Sequence, residues 1–131
     1  MCFAPLRAIL EVMRQPIFAL TVCLLTFPAL AREPEVLDVE IAKSGIAWRV
    51  DVTIRHPDTG WDHYVDGWEV LDKNGTRLGY RLLHHPHVTE QPFTRSLNNL
   101  ILPDGTREIF VKAHCSVDGW SDAAVRVELD P

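Results

Sequence analysis

Between Ile46 and Arg55 every second side chain is apolar: Trp48, Val50, Val52 and Ile54 alternate with Arg49, Asp51, Thr53 and Arg55. A period of two puts one row against a core and the other in water, a pattern that fits a strand and not a helix. It recurs along the chain. Residues 36–42, 64–72, 76–83, 92–102, 106–114 and 123–129 read as further strands, with Asn74-Gly75 and Pro103-Asp104-Gly105 as turns between them. Asn-Gly is a strong hairpin signal because both residues tolerate the positive φ that a tight turn demands. Seven strands with turn signals at intervals of roughly 8–12 residues predict an all-β sandwich.

The chain opens differently. Arg7 and Arg14 precede an apolar run from Ile17 to Leu25, and Ala29-Leu30-Ala31 supplies a small-x-small ending. That order predicts a signal peptide over 1–31, cleaved after Ala31, and a β-sandwich domain over 32–131 that is exported to a periplasm or secreted. The run falls short of the roughly 20 apolar residues of a membrane span and is broken by Pro28, so no stable membrane insertion is expected after cleavage. Met13 is an alternative start to Met1. Cys23 follows Val22 inside the apolar run, a poor context for lipid attachment.

Cleavage removes Arg7, Arg14 and Glu11 from the 13 basic and 18 acidic residues, leaving 11 against 17. A net charge of −6 repels phosphate backbones, which argues against nucleic acid as a partner. Cys115 is left as the one cysteine of the mature domain, so no internal disulfide can form. In phase with Ile109, Val111 and Ala113, it reads as a buried thiol rather than a ligand.

Histidine carries the functional signal. Of six, five fall in two stretches, His56-Pro-Asp-Thr-Gly-Trp-Asp-His63 and His84-His85-Pro86-His87. The sixth, His114, reads as a solvated strand end. Antiparallel strands in chain order bring alternate connections to the same end, so 56–63, 84–91 and 115–121 are expected to share one pole. Loops on a rigid scaffold are where binding residues sit. Pro86 favours extended backbone at His85, so His85 and His87 would project together as a two-nitrogen clasp. His56, Asp62, His63 and His84 complete the candidate metal ligands. Such a set suits zinc or copper(II). Thioether-rich copper(I) chemistry is excluded, because both methionines lie in the leader. Oxygen-ligated calcium through Asp58, Asp62, Asp66 and Asp118 is a further reading.

Asp58, Trp61, Glu90, Asp118 and Trp120 form a candidate partner or ligand surface at the same pole. Trp61 and Trp120 would either stack on a partner or pack over the end of the core. Trp48 and Trp68 read as core. Val65-Asp66-Gly67-Trp68 recurs as Val117-Asp118-Gly119-Trp120, too short an echo for a repeat architecture.

The strand pattern resembles fibronectin-III and immunoglobulin-like sandwiches, without the paired cysteines of antibody domains. The His56–Trp68 run and LHHPHVTEQPFTRSL over 83–97 resemble small exported bacterial proteins that are uncharacterised, and the resemblance implies no activity. No Gly-x-Ser-x-Gly elbow or glycine-rich phosphate loop is present. Ser116 and Ser121 lie near His114 and Asp118 without making a triad, and Glu90 or Asp62 as the base of a zinc hydrolase has no further support. The expectation is therefore a non-catalytic binding module whose pole holds a divalent transition metal or presents a pH-sensitive surface. The alternative is a protein-interaction or accessory domain using the tryptophans and acidic loops, with no small ligand.

Overall fold

A computed structural model describes residues 32–130; the expected signal peptide, with Cys2, Cys23 and both methionines, lies outside the described residues. Eight strands follow in order: β1 (Glu35–Ser44), β2 (Ala47–Arg55), β3 (Val65–Leu71), β4 (Arg77–Leu82), β5 (Phe93–Leu100), β6 (Glu108–Cys115), β7 (Gly119–Trp120) and β8 (Val125–Glu128). They form a three-stranded antiparallel sheet, β1-β2-β5, and a five-stranded one, β4-β3-β6-β7 with β8 also on β6. Among the described residues no helix is long and apolar enough to cross a membrane.

The expected alternation holds where it was clearest. Val50, Val52 and Ile54 of β2 are wholly buried, as are Ile109, Val111, Ala113 and Cys115 of β6. They meet Val65, Trp68 and Val70 of β3 and Phe93 and Leu100 of β5 in one core. Burying each large side chain contributes about 1.5–3 kcal/mol. Trp68 lies in this core, whereas Trp48 packs against its margin under the ammonium of Lys43.

Two departures from strict pairing shape the end of the five-stranded sheet. Val65 pairs Cys115 and Gly67 pairs His114, so Asp66 is an extra residue on β3. Such a bulge re-aims the side chain it inserts, and Asp66 Oδ1 accepts from His114 Nδ1 at 2.5 Å. The second departure corrects the expected strand count from seven to eight. After the turn at Gly119, whose φ of 79° suits glycine, the chain pairs back onto His114 and Cys115. Ser121 continues the ladder with its amide on the Ala113 carbonyl at 2.9 Å. The chain then leaves and rejoins β6 as β8, the seventh strand expected, so the additional strand is β7, inside the stretch 115–121 expected to be a loop.

The three polar connections do meet at one pole. The His56 amide donates to Gln91 Oε1 at 3.0 Å, the His87 amide to Asp58 Oδ2 at 2.8 Å, and the Ser116 amide to the Tyr64 carbonyl at 2.9 Å. Turns at 43–46, 72–74 and 103–107 gather at the other end.

Candidate metal centre

β2 ends at Arg55, and the next residue turns inward. His56 is 1% exposed, held by Pro57 and by the Asp58 carboxylate. Asp58 is itself buried and accepts three hydrogen bonds: from His56 Nδ1 at 2.6 Å, the Val65 amide at 3.1 Å and the His87 amide at 2.8 Å. A carboxylate whose oxygens already accept backbone amides suits a donor at Nδ1, and in a neutral ring that tautomer leaves the lone pair on Nε2. That Nε2 is buried and has no hydrogen-bond partner. Leaving a buried polar atom unpaired is costly, and such an atom calls for an explanation.

Three further donors lie close to the His56 ring. His56, His63, Cys115 and Asp118 each offer one ligand atom, all within 4.8 Å of one another. The His56 and His63 rings stand edge to face, 5.0 Å apart. His63 Nε2 lies 3.2 Å from Asp118 Oδ2, and the Cys115 thiol points at the same oxygen from 3.7 Å. Cys115 arrives here by the phase that builds the core: the inward row of β6 ends in its sulfur. The adjoining turn brings Asp118 back over it. His56 and Cys115 form the wholly buried side of the group, and His63 and Asp118 close it towards solvent with side chains 28% and 21% exposed. Burial pushes the Cys115 thiol above its ordinary range, while the amides of Asp118 and Val117 beside the sulfur pull the other way. A tetrahedral ion with bonds of about 2.0–2.3 Å needs donors roughly 3.4–3.8 Å apart. The widest pair would close by about an ångström, and the half-exposed side is the one free to move.

The other sequence candidates lie elsewhere around this pole. His84 and His85 are exposed, as are Asp62 and Glu90. The His85 and His87 rings do lie together, 4.6 Å between centroids. His87, however, is buried, stacked on Phe93 at 3.9 Å, and its Nε2 accepts from Arg95 Nη2 at 2.9 Å. Glu90 holds the same guanidinium at 3.2 Å. Three of the four carboxylates of the calcium reading are engaged by different partners, Asp58 by amides and His56, Asp66 by His114 and Asp118 by His63, while Asp62 is exposed. His114 is thus a half-buried hydrogen-bond partner of Asp66 rather than a solvated strand end. Trp61 is 69% exposed and leans edge-on against Tyr64, whereas Trp120 packs against His114 and Tyr80 beneath Arg77. The Val-Asp-Gly-Trp echo flanks β6: Gly67 and Trp120 both pair His114.

Sequence reasoning placed Cys115 in the core and Asp118 on the partner surface. The signal that joins them is their spacing, Cys-x-x-Asp across a turn that opens at the inward end of a strand.

Burial and the facing Arg95 guanidinium hold His87 below the usual imidazole range. The folded state therefore binds fewer protons than the unfolded chain below about pH 6.5, and its stability falls as pH drops through that value. Thermal unfolding of the metal-free protein at about pH 7.5 and 5.5 is expected to show a smaller acid loss for His87→Gln, whose amide oxygen can still accept from Arg95. An undiminished acid loss would show that His87 is not a source of the sensitivity.

No protein-family model matches the chain. A protein of Halomicrobium mukohataei described as "Putative lipoprotein" is 39% identical over 100 residues, covering 76% of this chain. The match takes in 49% of that protein, so the chain spans about half the length of the curated relative it matches. Among solved structures, the hypothetical protein PH1083 from Pyrococcus horikoshii OT3 superimposes with a TM-score of 0.50 at 17% identity, over 75% of this chain and 90% of that one. The chain is thus an all-β protein of two antiparallel sheets, similar in fold to PH1083 and in sequence to the Halomicrobium protein.

Proposed function

We propose that the chain is an exported, non-catalytic module that binds a divalent transition metal through His56, His63, Cys115 and Asp118. The observation that carries this is the convergence of four donors within 4.8 Å of one another, one of them from His56, whose buried Nε2 has no hydrogen-bond partner while Nδ1 meets a carboxylate. Two imidazoles, a thiol and one carboxylate suit zinc or copper(II) and are poor company for calcium, which takes oxygen ligands. Export is supported by the leader-like segment over 1–31 and by similarity to a protein called a lipoprotein. The strand order, β1-β2-β5 against β4-β3-β6-β8, supports an immunoglobulin or fibronectin-III type of sandwich. A non-catalytic role is supported by the two nearby serines: Ser116 Oγ accepts from the Tyr64 amide and Ser121 Oγ from the Ala113 amide.

Titration with zinc and cobalt(II) at about pH 7.5 is expected to give one saturable site that weakens below about pH 6.5, because ligation needs neutral imidazole. His63→Ala should weaken it strongly, and His84→Ala/His85→Ala should leave it unchanged. Binding that depends on His84 and His85 but not on His63 would overturn the assignment.

A further inference from the structure

Two side chains tie the second histidine stretch to the first: the carboxylate of Asp58 and the amide of Gln91. Asp58 Oδ1 is hydrogen-bonded to His56 Nδ1 and accepts from the Val65 amide, and Asp58 Oδ2 accepts from the His87 amide. Gln91 closes the same seam, accepting from the His56 amide and donating to the His87 carbonyl at 2.9 Å. The His56 ring therefore has a partner on one nitrogen and none on the other.

We infer that Asp58 is the positioning residue of the metal site: it fixes the tautomer and orientation of His56, and the 84–91 connection serves to hold Asp58 rather than to ligate. This rests on the metal-binding reading above. The chemistry is specific to a carboxylate. A neutral imidazole can carry its proton on either nitrogen, and only the Nδ1–H form leaves Nε2 able to ligate. An acceptor at Nδ1 selects that form and raises the basicity of the ligating nitrogen, and groups in this role typically carry about 10–100-fold in metal affinity. Asparagine in the same place has one acceptor oxygen for three donors, and its amino group would confront an N–H.

A mutant cycle with cobalt(II) as probe tests this, comparing the wild type, Asp58→Asn, His56→Ala and the double variant. If Asp58 acts through His56, Asp58→Asn lowers affinity about 10–100-fold in the wild-type background and by no more than about twofold once His56 is gone. The thiolate-to-cobalt absorption of Asp58→Asn should persist at saturation, since no ligand has been removed. Equal losses in both backgrounds would mean that Asp58 acts on the fold at large, and no loss in the wild type would mean it does not act at all; either overturns the inference and leaves metal binding intact. A wild type that binds no cobalt or zinc overturns the metal reading itself. The His56 tautomer in the metal-free wild type, read by nitrogen-15 NMR, depends on no variant folding: Nδ1–H is expected, and an Nε2–H ring overturns the role given to Asp58.

Discussion

Cys115→Ser is expected to weaken zinc and cobalt(II) binding by more than the roughly 10–100-fold typical of groups that only orient ligands, and to abolish the near-ultraviolet thiolate-to-cobalt band. Thiolate is the one soft donor of the four, and a serine hydroxyl at neutral pH remains protonated and binds such ions poorly. Folding should tolerate the change. The new hydroxyl would have the Asp118 carboxylate as acceptor and the Val117 and Asp118 amides as donors, the groups that now surround the sulfur. Isothermal titration gives the affinity and optical titration with cobalt gives the ligand. Unchanged affinity together with an absent band in the wild type would take Cys115 out of the site.

Trp68→Ala should be the most damaging single change to stability. The side chain is wholly buried between the sheets, and truncating a core tryptophan costs about 3–5 kcal/mol in transfer and cavity terms. That is a large part of the roughly 5–15 kcal/mol that holds a domain together. Trp68→Phe should recover most of it, because the indole Nε1 has no partner in the core and phenylalanine removes that unpaired donor. Denaturant unfolding of both variants measures the difference. A loss below about 1 kcal/mol for the alanine variant would mean that the sheets close over the gap.

Both results bear on what a reader of the sequence can see. Strands β2 and β6 were the most legible because each has one dry and one wet face, and period-two alternation records that directly, whereas β3 is buried on both faces from Gly67 to Val70. The common pole was legible too, since antiparallel order alone sends connections 56–63, 84–91 and 115–121 the same way. What failed to show was side-chain direction within irregular segments. His85 and His87 do lie together as residues two apart would in an extended stretch, yet Phe93 and Arg95, on the following strand, draw His87 into a stack and a hydrogen bond. Cys115 was hidden for another reason. Its phase along β6 correctly marks it as inward, and a thiol is at once an apolar core residue and a soft ligand. Only the arrival of His56, His63 and Asp118 around it separates the two. Asp58 was likewise seen as a surface acid, because nothing local announces that three donors from separate segments converge on it. The strand count slipped at Gly119, where a turn signal conceals two residues of pairing before the chain departs from β6.

The donors also come from different layers. His56 extends β2, which belongs to the three-stranded sheet, while Cys115 ends β6 in the five-stranded one. An ion held by both would be an inorganic cross-link between the two layers, in a domain whose described residues include a single cysteine. Loading would then suppress opening of the sandwich at that end, and resistance to unfolding would rise with free metal concentration by mass action.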